Sequence, residues 1–263
     1  MNKTLKYIMF IGLFLSIFGI GLIALNIFQY RQFSSEWEKA KFESTGKSFN
    51  EFMFMGLPSS LEEYLKHSIK EGTPLVNSLA LELDGELLLK EKDLKFTSEN
   101  LLSPFEYFIS KTKLSGGISY EHWKKGKGET NFKLFGVIPI SSQQNEEVTR
   151  HNAIKFALLL PFIPSAFLLQ QEMQWKEENS NILQISFFLG AEKFKARFEL
   201  KENGSLTRYT LLDRDITYEV IFLNEKQYSG YTLPSEFQVF QTKSNLKKEQ
   251  ISRVRVKKAQ PIF

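Results

Sequence analysis

The side chains best suited to acid–base or metal chemistry are three histidines, His67, His122 and His151. They lie far apart in the sequence, and none belongs to a metal-binding pattern such as H-E-x-x-H. Cysteine is absent, so neither a thiolate zinc site nor a cysteine nucleophile is possible. We therefore expect no metal and no cofactor, and we expect His67 to lie exposed on a helix.

Two short motifs have part of a catalytic or nucleotide-binding pattern. Residues 117–121, Gly-Ile-Ser-Tyr-Glu, lack the second glycine of a nucleophile elbow. Residues 126–128, Gly-Lys-Gly, lack the third glycine of a dinucleotide-binding loop and lie between predicted strands, which indicates a turn. Asp213 and Asp215 flank Arg214 and are predicted to form surface ion pairs. A membrane-anchored hydrolase is therefore the third of three functional hypotheses.

A basic segment, residues 243–258, lies near the end of the sequence, where seven positive residues stand against Glu249 alone. Val254 and Val256 alternate with basic residues, so the positive charges share one face of a strand. The pattern indicates either an edge strand whose charges prevent aggregation or a surface that binds anionic lipid headgroups. The candidates for membrane contact are Lys247, Lys248, Arg253, Arg255 and Lys257.

Residues 7–28 form an uncharged segment near the start of the sequence. At 1.5 Å per residue, a helix of this length covers the roughly 30 Å hydrocarbon core of a bilayer. A cleaved signal peptide is the alternative, but its apolar region is shorter. We predict a single-pass anchor with a short basic tail in residues 1–33. The short basic tail favours a C-terminal part outside the cytoplasm.

The composition is that of a globular protein, with 42% hydrophobic and 24% charged residues and as many as 25 phenylalanines. The formal net charge is only +4, and acids and bases are interspersed, which argues against nucleic-acid binding. We predict a membrane-proximal connector in residues 34–56. A single β-rich domain should occupy residues 57–263, with a helical insert at about 145–173.

Residues 57–74 carry the signals of one amphipathic helix. Ser59 or Ser60 is the predicted N-cap, and a glutamate three residues later completes a capping box. Most of the sequence beyond this helix indicates short strands, and in residues 193–200 apolar and charged side chains alternate strictly. Asn203-Gly204 then predicts a tight hairpin. The predicted strands cover residues 105–113, 118–124, 130–140, 182–189, 193–201, 205–212, 216–223, 231–241 and 251–257.

The predicted fold class is therefore mainly β (α+β). An N-terminal transmembrane helix precedes a curved antiparallel sheet or half-barrel, one side of which is covered by a few helices.

One apolar stretch, residues 156–169, is too short to span a bilayer and contains Pro161 and Pro164. Because proline removes backbone donors, a helix here is kinked or broken. The stretch is either a kinked core segment packed on the sheet, the lining or lid of an apolar cavity, or a segment that dips into the membrane. The candidates for a ligand cavity are Phe156, Phe162, Phe167, Leu168, Trp175, Trp123, Phe194 and Phe198.

From about residue 57 to the end, the sequence resembles an uncharacterised, mostly bacterial family of domains of unknown function. Its matching positions, in order, are Leu57-Pro58, Tyr64-Leu65, Glu121, Trp123, Gly126, Gly128, Pro164, Ala166, Leu168, Trp175, Arg214, Gly230 and Pro234. The chain departs from the family's central signature where Lys155-Phe156 replaces Arg-Tyr, Leu159 replaces Glu and Phe162 replaces Trp. Chemistry that uses the family's Arg and Glu is therefore largely lost here.

The family's architecture is similar to the lipoprotein-carrier folds of the LolA and LppX type, which are antiparallel half-barrels covered by helices around an apolar pocket. The resemblance implies lipid or lipoprotein handling in the bacterial envelope. The first hypothesis is thus a membrane-anchored, non-enzymatic domain that binds a lipid or acyl chain in a half-barrel cavity, with the membrane and a lipid as partners. The alternative is a structural or protein-interaction module of the envelope with a filled core.

Overall fold

The computed structural model describes residues 46–90, 92–169, 173–244 and 247–263, together with eight isolated positions nearer the N-terminus. Most of the predicted membrane span, residues 7–28, lies outside the described residues. No helix among the described residues is both long enough and apolar enough to cross a bilayer.

Thirteen strands of the described chain form one sheet, in which every strand is antiparallel to its neighbours. The order across the sheet is β6-β5-β4-β3-β2-β1-β13-β12-β11-β10-β9-β8-β7. The strands are β1 Ser78–Leu87, β2 Leu94–Ser103, β3 Tyr107–Leu114, β4 Gly117–Lys124, β5 Lys127–Leu134, β6 Ile138–Gln143, β7 Gln174–Asn179, β8 Ile182–Leu189, β9 Glu192–Leu200, β10 Leu206–Asp213, β11 Ile216–Tyr228, β12 Tyr231–Lys243 and β13 Glu249–Ile262.

Alternating side chains place one face of the sheet inside the molecule. In β9, Phe194, Ala196 and Phe198 are buried, whereas Lys193 and Lys195 are exposed. The period of two puts the apolar side chains on the concave face and the charged ones in water. The prediction of an antiparallel, mainly β fold with one wet face is confirmed.

Several strand boundaries differ from the prediction. Residues 130–140 are two strands rather than one, because the chain turns at Phe135-Gly136, where both residues have positive φ. Strands β1, β2 and β7 were not predicted. In β7 the sequence Gln-Trp-Lys-Glu-Glu-Asn is mostly polar, as befits an edge strand with little to bury, so hydrophobic alternation gave no signal.

The helices are α1 Ser59–Ser68, α2 Glu146–Leu159 and α3 Ala166–Leu169, with short 3-10 turns at Glu51–Phe54 and Leu160–Phe162. The predicted helix α1 is present, and its apolar stripe is buried. The predicted capping box is wrong. Pro58 occupies the N-cap and forms no side-chain cap bond, while the Ser59 hydroxyl donates to Glu177 at 2.9 Å instead.

The sheet curls until distant strands touch. A Cβ atom built on Gly190, in the β8–β9 turn, would lie 2.6 Å from the Cα of Gly126, in the β4–β5 turn. The turns can approach this closely because Gly190 has no Cβ atom, and both glycines have positive φ. Helices α1, α2 and α3 lie against the resulting concave face, and the core sits between them and the sheet.

The basic strand β13 is not an edge strand, so that alternative is wrong. It is the central strand of the sheet, with β1 on one side and β12 on the other. Its sequence pattern shows only that one face is wet, and this is equally true of a central strand whose outer face meets solvent.

Candidate ligand-binding site on the concave face

Residues 146–169, the covering segment, lie across the concave face. Helix α2 begins where the Asn145 side chain accepts a hydrogen bond from the amide of Val148 at 2.9 Å. It ends in the 3-10 turn because Pro161 lacks an amide proton to continue an α-helix. The apolar stretch predicted from the sequence is thus a broken helix packed on the sheet, with Phe156, Phe162 and Phe167 buried.

The first group of candidate cavity residues packs around Phe156. Its ring lies 5.5 Å from Trp123 and 6.0 Å from Phe108, which both project from the sheet. The indole Nε1 of Trp123 is buried and has no hydrogen-bond partner among the described residues. An orphaned buried donor of this kind costs roughly 1–3 kcal/mol.

The second group extends along the rest of the covering segment. The Phe167 ring contacts Phe198 at 5.3 Å and Trp175 at 5.7 Å. The Phe162 ring lies 5.3 Å from Phe237. Phe194 stacks on a neighbouring strand, and Leu168 is half-buried against the core. The structure therefore brings the candidates onto one surface, where they pack against each other as a filled core.

Tyrosines tie the covering segment and its surroundings to the sheet. The hydroxyl of Tyr64, on α1, donates to the carbonyl of Pro161 at 3.2 Å, and that of Tyr209 donates to Ala157 at 3.0 Å. The Tyr231 hydroxyl donates to Pro74 at 2.8 Å. Burial raises the pKa of Tyr64 and Tyr209 well above the usual range, and raises that of Tyr231 to about 12. Of these tyrosines, sequence patterns singled out Tyr64, on the apolar stripe of α1, but not Tyr209 or Tyr231.

A polar row crosses the concave face beneath α2. Lys155 contacts both carboxylate oxygens of Glu121 at 2.6 Å, and the side chain of Glu121 is only 9% exposed. Ser119 donates to the same carboxylate at 3.3 Å. Glu121 and Lys155 both fall at positions of the family signature. The structure therefore pairs this lysine with an acid from the sheet, although Leu159 replaces the signature's nearer Glu.

Arg150 fastens the other side of α2. Its guanidinium binds Glu192 at the start of β9 and Asp213 at the end of β10. Asp213 is buried, with a side chain only 6% exposed. The prediction that Asp213 forms a surface ion pair is therefore wrong, since its partner comes from a helix 63 residues earlier in the sequence rather than from neighbouring Arg214.

His67 is half-buried rather than exposed, because it faces Glu225 on β11 at 2.9 Å. The Ser205 hydroxyl donates to the other oxygen of the same carboxylate at 2.9 Å. The carboxylate thus stands between the hydroxyl and the imidazole, so the imidazole is not placed to take the serine proton. In the described part of the chain, no three His, Asp or Glu side chains are grouped so as to hold a metal ion.

Acidic partners surround the basic residues of β13. Arg255 forms a salt bridge with Glu236 at 3.2 Å and stands opposite Asp84 in the β1 register. Arg253 stands opposite Glu86. Lys248 pairs with Glu219, near β13. Lys257 and Lys247 are exposed. The strand face that the sequence presents as purely basic is therefore largely balanced by acids from β1 and β12.

The solved structures similar to this chain include three that are 9–10% identical to it. A domain described as an outer membrane lipoprotein-sorting protein, from Vibrio parahaemolyticus, is 10% identical with a TM-score of 0.45, covering 77% of this chain and 91% of that one. A LolA superfamily protein from Nitrosomonas europaea is 10% identical, with a TM-score of 0.43 and coverages of 77% and 92%. A DUF1329 family protein from Desulfovibrio piger is 9% identical, with a TM-score of 0.45 and coverages of 77% and 92%.

No curated protein matches the sequence. A family model does match, over residues 47–245, and its description is "Family of unknown function (DUF6544)". The match covers most of the chain and confirms the predicted membership of a family of unknown function. This protein belongs to the DUF6544 family.

Proposed function

We propose that this protein is a non-enzymatic binding domain that takes a long apolar chain, such as a lipid acyl chain, between the concave face and residues 160–169. The observation that carries the proposal is the nature of this cover. It is a proline-broken segment that adds no strand to the sheet and packs on it through buried apolar side chains such as Phe162 and Phe167. An apolar ligand offers the sheet the same kind of contact.

The energies of the two occupants are comparable. Burying Leu160, Phe162, Ile163 and Phe167 contributes roughly 1.5–3 kcal/mol each, so together roughly 6–12 kcal/mol. An acyl chain of about fourteen methylenes contributes roughly 11 kcal/mol at about 0.8 kcal/mol per methylene. A long acyl chain therefore matches the cover that it displaces, whereas a short apolar molecule does not.

A ligand that extends from residues 160–169 beneath Phe156 reaches Trp123, which adds a polar preference. Its buried indole N–H lacks an acceptor among the described residues, beside the ring of Phe156. A ligand that brings an ester or carboxyl oxygen would satisfy this donor. Fatty-acyl compounds combine such an oxygen with a long chain, so they fit better than plain hydrocarbons.

Membrane anchoring through residues 7–28, with the domain outside the cytoplasm, completes the proposal. It is supported by the length of the uncharged segment and by the short basic tail before it. A protein held beside a bilayer has acyl chains within reach, which agrees with the ligand class proposed for the concave face.

The test is a titration of the delipidated full chain, in mild detergent, with a fluorescent fatty acid. We expect saturable binding that long-chain fatty acids compete away and that short-chain ones do not. Tyr64→Phe, which loosens the cover by removing the hydrogen bond to the Pro161 carbonyl, should strengthen binding, whereas Leu212→Ala on the outer face should not. Absence of saturable binding in all three proteins would sink the proposal.

A second candidate, a protein-interaction module, is favoured by the edge strand β6. Ile138 and Ile140 on this strand are 42% and 58% exposed. The backbone groups along one side of β6 pair with no other strand of the described sheet. An edge of this kind accepts a strand from a partner. This function predicts that Ile140→Lys abolishes a specific protein complex, that Leu212→Lys preserves it, and that both variants bind fatty acid equally.

A further inference from the structure

We propose that the turns at one end of the sheet form a membrane-docking rim that seats the domain on an anionic bilayer. The rim consists of the β5–β6, β3–β4, β1–β2, β12–β13 and β10–β11 turns. These turns lie at the same end of ten adjacent strands, as the antiparallel registers require. The inference does not depend on what the concave face binds.

Backbone hydrogen bonds between turns, together with the β2–β3 pairing of Phe96 with Leu114, link the turns of the rim. The amide of Phe135 donates to Gly116 at 3.1 Å, which joins the first two turns. The amide of Leu88 donates to Ile251 at 2.9 Å, and that of Ser244 donates to Asp215 at 2.9 Å. Neighbouring turns are therefore held together as one surface.

Two apolar side chains project from this rim. Phe135, in the β5–β6 turn, is 76% exposed, and Leu89, in the β1–β2 turn, is 54% exposed. Phe135 lies in the three-residue turn between β5 and β6, and Leu89 lies in the six-residue connection between β1 and β2, which the hydrogen bond from Leu88 ties to Ile251. Large apolar groups in such a position are suited to shallow insertion between lipid headgroups.

Basic residues surround the two apolar tips. The rim carries eight exposed basic residues, against the exposed acids Asp93, Asp215 and Glu249, and Glu91 adds one further acid outside the described residues. Among the eight, Lys113 and Lys248 have a carboxylate neighbour. The eight are Lys90, Lys92, Lys95, Lys113, Arg214, Lys243, Lys247 and Lys248. Positive side chains beside exposed apolar ones are complementary to anionic headgroups over an acyl layer.

Two other exposed sites are weaker alternatives. The β4–β5 turn, whose Gly126 packs against Gly190 in the β8–β9 turn, is basic, but it consists of lysines and a glycine and has no apolar group to insert. Phe52 and Met55 are each 82% exposed, but they lie in and directly after a 3-10 turn that begins with Glu51, and they stand before the acidic start of α1. Acidic side chains disfavour contact with an anionic surface, so the charge distribution favours the rim as the membrane-contact surface.

The position of Trp37 agrees with a bilayer that lies against the rim. This residue lies against the outer face of the sheet, in a groove with Glu82 and Lys258. In the register of β1, Glu82 is five residues from the rim at Leu87, a distance of roughly 17 Å. The eight residues between the predicted span and Trp37 make nine Cα–Cα steps, which extend to at most roughly 30 Å. A membrane at the rim is therefore within reach of the predicted anchor.

The test uses the absence of cysteine in the chain. Ser115→Cys places a fluorophore on the rim and leaves Phe135 intact, and Phe52→Cys places the same fluorophore at the rival site. The labelled full chains are mixed with nanodiscs of phosphatidylcholine, with or without phosphatidylglycerol, that carry nitroxide-labelled lipids. We expect strong quenching at position 115 in the anionic discs, weak quenching in the neutral discs, and little quenching at position 52 in either.

Matched variants separate docking from mere proximity. Changing Lys90, Lys92, Lys113 and Lys243 to Gln should reduce the quenched population at least about tenfold, because each lysine near the surface contributes about a fivefold factor. Changing Lys124, Lys125 and Lys127 to Gln in the β4–β5 turn should leave quenching unchanged. Equal quenching at positions 115 and 52, no quenching at 115, or equal loss in the two charge variants would each overturn the proposal.

Discussion

Replacing Phe162 by alanine tests whether the covering segment competes with an apolar ligand. Phe162 is 1% exposed, and its ring contacts Phe237 at 5.3 Å and Phe222 at 6.1 Å. A Phe→Ala change at a buried site costs roughly 3–5 kcal/mol of folding stability. These contacts exist only while residues 160–169 lie on the sheet, which we call the closed state. Losing them therefore also destabilises the closed state relative to the open state, in which a ligand occupies the sheet.

The expected result is lower stability together with tighter ligand binding. Apparent affinity scales with the fraction of molecules whose site is open. If about 1.4 kcal/mol of the lost contact energy favours opening, apparent affinity for a long-chain fatty acid rises about tenfold. The stability loss is measured by urea unfolding, and the affinity by titration with a fluorescent fatty acid.

Phe194→Ala is the matched control, since Phe194 is also 1% exposed but projects from β9 on the concave face of the sheet rather than from the cover. Its stacked partner is Phe187 at 5.8 Å. We expect a similar loss of stability but weaker binding, because the ligand loses a contact surface. If Phe162→Ala lowers affinity as Phe194→Ala does, the cover does not compete with the ligand and the exchange mechanism is refuted.

Three further predictions concern the stability of the fold, each measured by urea unfolding. Lys155→Met should lower the free energy of unfolding by about 1–3 kcal/mol, less than the loss of a fully buried ion pair, because the lysine is 37% exposed. Adding Glu121→Gln should restore part of the lost stability. If the double variant loses as much stability as the two single variants together, the pair is not coupled. Burial raises the pKa of the buried tyrosines, so the unfolded chain loses their protons first. The free energy of unfolding should therefore be unaffected below pH 10 and should fall as the pH rises from 10 towards 12, by about 1.4 kcal/mol per pH unit for each tyrosine. A flat profile would contradict this. Gly128→Ala should destabilise by about 1–3 kcal/mol, because its Cβ would lie 2.5 Å from the Cα of Thr149, whereas Gly116→Ala, which meets nothing within 4 Å, is the control.

Local patterns predicted those parts of the fold that depend on neighbours in sequence. Alternation in residues 193–200 identified the buried face of β9, and Asn203-Gly204 identified the hairpin, where Gly204 has positive φ and packs against the backbone of Glu63. Of the three interpretations of the proline-broken stretch, the structure shows the kinked core segment packed on the sheet. In each case the cause lies within a few residues of the effect.

Local sequence patterns could not predict contacts between residues that are distant in sequence. Arg150 and Asp213, and likewise His67 and Glu225, meet only because the sheet curls. Periodicity states which face a side chain occupies but not what stands opposite it. For the same reason, sequence reasoning identified the aromatic residues of the concave face but not that they fill it.

The place of β13 at the middle of the sheet has a consequence for biogenesis. Residues 249–262 pair with β1 on one side and β12 on the other, so the last strand to be synthesised is the seam between the two halves. Until it emerges, β1–β6 and β7–β12 lack their shared strand and present unpaired edges. A nascent or truncated chain that stops before residue 249 is therefore a natural substrate for chaperones and proteases rather than a smaller version of the folded domain.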